Sequence, residues 1–390
     1  MARLIVIIPL VLLIGFKLAT WLMERRTAAL KTATEAARAN VARIEEATRP
    51  TIVPSEHGLV RRAELVVDKG VLTGPEVDAA LAAAAAGDWR PAAELFAAAA
   101  GDHDRRWGLV ERFAESAVEE DAWLKAWRAE RPGDADAAVT GVRALIGVAW
   151  KVRTSKRAGE VSREQFDVFH KILGDAVEAA AEAVALADPA DPLPFSVQLP
   201  IARGLSWPRE RFRELWVEIT DRAPLLWPAH LDALQYWCAK WRGGGGDHAH
   251  MHAFADAAIA AAPPGSLLTV LKLEGYWEQF GYDREYAYGA PEVRAAADAV
   301  RADLAAADPA DRHLTYVRGW LAYMDHRADR PVEAVEQFRA LGTAVPDPWA
   351  SYFDDPVGTF VGHRAGAVLE LLELREAEER ARAQGAPTAG

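Results

Sequence analysis

Apolar residues in this chain return every three or four positions over long stretches, and nowhere do they alternate convincingly residue by residue. Phe212, Leu215, Trp216 and Ile219 form one such stripe, and Leu231, Leu234, Trp237 and Trp241 form another. That period places a stripe along one side of an α-helix, whereas a half-buried strand needs period two. The alanine runs at 82–86 and 97–100 agree, because alanine has the highest helix propensity. Alanine-faced helices approach closely and leave gaps that something bulky must fill. The 14 tryptophans are the expected filler. The chain is therefore expected to be all-α.

Its helices read as repeated pairs. Gly87-Asp88-Trp89 is followed by Ala92, Phe96 and Ala99. A second unit places Leu321 and Ala322 on a first helix, Ala334 and Phe338 on a second, and closes at Pro346, with Pro331 opening the second helix. A third runs from Gly246-Asp247 through Met251, Phe254 and Ala258 to Pro263. This pattern resembles the tetratricopeptide repeat, in which a turn glycine precedes small and aromatic residues that lock two helices together. The resemblance covers roughly residues 75–346 and implies an α-solenoid of helix pairs. The long helical region is also similar to actinobacterial domain-of-unknown-function proteins, by general character rather than by a motif. Two further duplications fit. Leu205-Ser206-Trp207-Pro208 returns as Leu225-Leu226-Trp227-Pro228, each expected to open a helix with proline at its first position. Ala187-Asp188-Pro189-Ala190-Asp191 returns at 307–311, both at expected helix exits.

Ahead of the repeats stands an apolar segment. Residues 4–16 carry no charge, Lys17 follows, and 18–23 are again apolar apart from Thr20. As one helix, residues 4–23 reach about 30 Å, the thickness of a bilayer's hydrocarbon core. Lys17 can carry its ammonium to the interface, where Trp21 also fits. The competing reading is a cleaved signal peptide followed by secretion. It needs small residues before the cut, and 18–23 offer no small-x-small pair. Arg25, Arg26, Lys31, Arg38 and Arg43 outnumber Arg3 and the α-amine, which places the repeat domain on the cytoplasmic side. The expected organisation is a transmembrane anchor at 1–23, a juxtamembrane helix at 24–50, a linker at 51–75 rich in proline and glycine, the repeat domain at 76–370, and a helix end and tail at 371–390. Leu30, Ala37 and Ile44 form a weak heptad seam through which residues 24–48 could self-associate.

Charge and cysteine content narrow the functions. A net charge of -12 with no basic cluster in the soluble part argues against nucleic acid. The single cysteine, Cys238, excludes a disulfide framework and a cysteine-based zinc site, and reads as a buried thiol. Asp247-His248-Ala249-His250-Met251-His252 is the one stretch with the look of a site. On a helix, His248, His252 and Asp256 share a face, an arrangement for a metal-dependent hydrolase. Alanine at 249 removes the metalloprotease motif, and solvated surface histidines are the plainer reading. Glycines 243–246 lack the Gly-Lys-Ser/Thr ending of a phosphate loop and read as a connector. No Gly-x-Ser-x-Gly elbow occurs, and no cofactor is implied. The aromatic residues Trp207, Trp216, Trp227, Tyr236, Trp237 and Trp241 are either core or the lining of a peptide groove. Trp207 and Trp227, each before a proline at a helix start, are expected to be the more exposed pair and the binding candidates. Trp216 and Trp237 are expected in the core. The function expected on these grounds is a membrane-tethered scaffold that binds another protein or peptide.

The anchor reading predicts that full-length protein stays with membranes through an alkaline carbonate wash. Release of intact chain into the wash would contradict it. Mature protein lacking its first residues would instead support the signal peptide.

Overall fold

Several helices begin at a residue whose side chain satisfies one of their first amides. The computed structural model describes residues 52–154, 161–241, 248–281 and 285–384. The expected anchor at 1–23, the juxtamembrane helix at 24–50, Asp247, glycines 243–246 and residues 385–390 lie outside them. The helices are α1 (Pro75–Ala85), α2 (Arg90–Ala98), α3 (His103–Glu119), α4 (Ala122–Glu130), α5 (Ala135–Arg153) and α6 (Arg163–Leu186). There follow α7 (Leu193–Ser196), α8 (Leu199–Gly204), α9 (Arg209–Arg222), α10 (Trp227–Trp237), α11 (Ala249–Ala261) and α12 (Val270–Phe280). The last are α13 (Pro291–Ala306), α14 (Leu314–Arg327), α15 (Pro331–Leu341), α16 (Trp349–Tyr352) and α17 (Pro356–Ala383). Asp102 caps α3 by accepting from the Arg105 amide at 2.8 Å, and Asp134 caps α5 through Ala137. Ser162 and Gln165 cap α6 reciprocally. Among the described residues no helix is long and apolar enough to cross a membrane.

Helices adjacent in the chain pack on one another. α1 packs on α2, α14 on α15, and α10 on α11. Trp89, Ala92, Phe96 and Ala99 are all buried, as are Ala334 and Phe338. Pro331 is the first residue of α15, as expected. The duplicated Asp-Pro-Ala-Asp segments adopt one loop twice. In each, the first aspartate accepts from the amide two residues on at 2.8 Å, Asp188 from Ala190 and Asp308 from Ala310. In each, the second aspartate does likewise, Asp191 from Leu193 and Asp311 from His313. Such Asx turns stop one helix and start the next. The Trp-Pro duplication is less regular: Pro228 lies inside the first turn of α10, but Pro208 is the residue before α9.

Two features depart from an open solenoid with a free linker ahead of it. Residues 54–72 lie against distant parts of the fold. β1 (Val66–Val67) pairs in parallel with β2 (Ala344–Val345), the Val66 amide donating to Thr343 O at 2.8 Å and the Asp68 amide to Val345 O at 2.9 Å. Leu59 is buried, and Arg339 Nε donates to His57 O at 2.7 Å. A two-residue strand is too short to show period two, which is why its sequence reads as linker. The second feature is a contact between the starts of α3 and α14. Arg312 pairs with Asp102 at 2.7 Å, and His313 Nε2 lies 3.4 Å from Asp104. An ideal stack of repeats contacts only neighbours in sequence, so these helix pairs close back on themselves.

The end of the fold is held tightly. Phe338 is 1 % exposed and meets Phe360 at 5.3 Å and Trp349 at 5.7 Å between ring centres. Replacing Phe338 with alanine should cost about 3 to 5 kcal/mol in a denaturant or thermal melt. An unchanged melt would show that the ring is not part of the core.

Candidate functional site

Buried charge is costly unless it is paired, so the places where pairing is incomplete are the first candidates for function. Two polar regions can be compared. The first is a cavity of about 310 Å³ between the 54–72 strap, α3 and α5, lined by Val71, Glu111, Glu115, Val118, Arg143 and Gly147. Its charges are matched internally: Arg143 holds Glu111 through two nitrogens at 2.5 and 2.8 Å, and Glu115 accepts from Arg112 at 3.0 Å. Arg143 also faces Asp232 on α10.

The second region is not matched. Glu274 and Glu278 stand one turn apart on α12, on the side that faces α10, α14 and the 346–352 segment. Glu278 accepts from Gln235 Nε2 at 2.9 Å and from Lys240 Nζ at 2.7 Å. Glu274 is 3 % exposed, and its Oε1 accepts from the Tyr316 hydroxyl at 3.0 Å. Asp347 faces it, and the Oδ1 of that aspartate is buried with no hydrogen-bond partner among the described residues. Burial, with Asp347 and Glu278 adding their charges, pushes the Glu274 carboxyl up to about 8. Burial raises Asp347 as well, against a hydrogen bond from Ser351. The walls are aromatic. Tyr352, 38 % exposed, sits at the rim, with Trp277 at 5.5 Å and Trp320 at 6.0 Å from it.

Backbone packing places α14 against the 346–347 segment. A Cβ on Gly319 of α14 would lie 2.1 Å from the Asp347 carbonyl oxygen and 2.6 Å from the Pro346 ring. Only glycine lets α14 approach the 346–347 backbone so closely. Nothing in the local sequence around Glu274 marks it; an acidic residue inside an otherwise apolar helical stripe was the available signal.

The residues singled out by sequence are placed differently. The expectation that Trp207 and Trp227 are the more exposed pair is overturned: they are 5 % and 6 % exposed. The Arg211 guanidinium covers Trp207 at 3.3 Å. Trp227 stacks on His313 at 4.0 Å and meets the edge of Tyr316 at 5.0 Å. A tryptophan ahead of a proline at a helix start is close to the preceding turn, and here neighbouring helices cover that turn. Trp237 is buried as expected, whereas Trp216 is only half-buried, against His230 and Phe254. His248 is the residue before α11, and His252 and Asp256 lie on it. His252 Nε2 is 2.7 Å from Gln279 Oε1, and Asp256 accepts from Lys272 at 2.7 Å. Among the described residues no group of three or more histidine, cysteine, aspartate or glutamate side chains could hold a metal ion. Cys238 is buried, 3.5 Å from the Met251 sulfur, and its thiol is pushed well up by burial.

Comparison with protein-family models, with curated proteins and with solved structures gave no significant match.

The Glu274 carboxyl gives a stability signature. Its folded value is raised above the usual 4.5, so its contribution is complete below that and is lost as pH rises towards about 8. Between pH 6 and pH 9 the Glu274→Gln protein should lose less stability than the parent, by about 2 to 3 kcal/mol in matched denaturant melts. Parallel pH profiles for the two proteins would contradict the raised value of the buried Glu274 carboxyl.

Proposed function

We propose that this protein is a membrane-tethered helical-repeat scaffold that binds a protein or peptide partner, with the repeat domain on the cytoplasmic side and the region around Glu274 as its contact site. The observation that carries the reading is the buried Glu274 carboxyl, 3 % exposed, to which Glu278 and Asp347 add their charges, close to the 38 % exposed Tyr352. A partner that supplies the missing contacts gains them against a rigid, desolvated wall, which is where interface energy concentrates. The tetratricopeptide resemblance supports the class, since such folds bind through the inner surfaces of their helix pairs. It is support from fold, and the site itself has to supply the specificity. A metal-dependent hydrolase through His248, His252 and Asp256 has less behind it, because His252 is engaged by Gln279 and Asp256 by Lys272.

A photoreactive amino acid at position 352 tests this in native membranes. The expected result is a discrete crosslinked adduct that is absent with the same probe at position 225, where the leucine is also exposed. Equal labelling from both positions, or none from 352, would remove the region around Glu274 as the contact site.

A further inference from the structure

We propose that Trp150 and Arg153 at the end of α5, Arg203 on α8 and Trp241 after α10 form a binding site for a phosphate oxyanion, taken as free phosphate or as the phosphoryl group of a small monoester. The site shares no residue with the region around Glu274 and does not rest on the scaffold reading.

The fold brings these four residues together from three places, so no basic cluster shows in the sequence. Trp150 and Trp241 meet edge to face at 5.4 Å. The Arg153 guanidinium stands 5.2 Å from the first ring centre and 5.3 Å from the second, and that of Arg203 stands 5.3 Å from each. Phe169 meets Trp150 at 5.0 Å, and the Phe166 ring lies 5.9 Å from Arg153. All four residues are half-buried, so the cluster reaches the surface. Two like charges thus flank one pair of rings, and their donors outnumber the acceptors offered to them. Arg153 makes one hydrogen bond among the described residues, to Thr154 O at 3.4 Å, and pairs with no carboxylate there. Arg203 reaches Asp232 through one nitrogen, also at 3.4 Å. Its Nε and the Nε1 atoms of Trp150 and Trp241 are buried with no hydrogen-bond partner among the described residues. Burial and the neighbouring Arg203 both hold Arg153 below the ordinary arginine value.

Other arginines of this fold are treated differently. Arg106 is held by Asp136 at 2.6 Å and by Asp191 at 2.8 Å. Arg90 also covers a tryptophan, Trp89 at 5.1 Å, but it pairs with Asp88 and Glu130. The plainer role for Arg153, meeting the carbonyl end of α5, engages one N–H of its fork and leaves the others. Buried donors without acceptors are rare in folded proteins and call for an acceptor from outside. A guanidinium fork matches the oxygens of a carboxylate or a phosphate. A carboxylate has about four acceptor positions, which one fork and one indole nearly fill. A phosphoryl group presents three oxygens and carries about two negative charges, which answers two guanidiniums and both indoles. The net charge of -12 repels anions in general, so a bound phosphate has to be held locally.

The test is calorimetric titration of the full chain in detergent, at neutral pH and constant ionic strength, with inorganic phosphate, phenyl phosphate and benzoate. Phosphate should bind at one site per chain, and benzoate roughly tenfold more weakly. Arg153→Gln keeps much of the stem and removes the charge, and it should weaken phosphate by about tenfold or more. Trp241→Phe keeps a ring and removes the N–H, and it should weaken phosphate about threefold to tenfold. Both variants should melt cooperatively, and Arg153→Gln no lower than the parent without ligand, because it removes one of two like charges. No heat from either phosphate, or equal phosphate affinity in the parent and Arg153→Gln, overturns the proposal. Benzoate binding as tightly as phosphate also overturns it. Binding of phenyl phosphate alone upholds the site and makes a monoester its ligand, with the rings taking part. Equal binding of both phosphates upholds it with the phosphoryl group as the determinant.

Discussion

Alanine-faced helices bring little bulk to their contacts, so this fold depends on the aromatic rings set between them. Among the first helices, Trp89 stacks on Trp127 at 5.6 Å, and Phe96, Phe113 and Trp123 continue the same cluster. Near the end, Phe338, Trp349, Phe360 and Tyr323 form another. In the middle Phe212 lies flat on Tyr236 at 3.7 Å. Each ring buries far more apolar surface than an alanine, and edge-to-face or offset pairs add a further increment. Indole N–H groups come with this packing, and one is met by a local acid: Trp127 donates to Asp134, the residue that caps α5.

The same rings explain why sequence position is a poor guide to exposure. Trp207 and Trp227 begin helices, yet a large side chain at a helix start reaches back over the preceding turn. Neighbouring elements then close over it: Arg211 in one case, His313 and Tyr316 in the other. His313 also lies beside Asp104, and Arg312 pairs with Asp102. The ring that was expected to face a partner therefore belongs to the seam that joins α3 to α14.

Closure has a consequence for charge. Packing α14 against the 346–347 backbone brings the charge of Asp347 to bear on the buried Glu274 of α12. Their cost is visible in the raised Glu274 and Asp347 carboxyls. A contrasting network shows how the fold treats an acid that is only structural. Asp325 is fully buried but lies between Arg301 at 2.7 Å and Arg330 at 3.7 Å, with Arg330 also holding Asp298. Asp325 is pushed up to about 6, less far above the ordinary range than Glu274 despite its complete burial, because two guanidiniums oppose the desolvation.

What the sequence by itself determined was local. The 3.6-residue stripes, the alanine runs and the proline that opens α15 are all short-range patterns, and each has its counterpart in the helices. The duplicated Asp-Pro-Ala-Asp loop was legible for the same reason, since an Asx turn is made within a few residues. The tertiary structure alone decided the rest. The β1–β2 pairing, the Asp102–Arg312 contact and the meeting of Glu274 with Asp347 join residues tens to hundreds of positions apart, and no periodicity encodes such a meeting. Exposure of Trp207 and Trp227, and the imbalance of charge around Glu274, likewise depend on which neighbours arrive. Burial and electrostatic environment are properties of the assembled surroundings, not of a residue or its flanks.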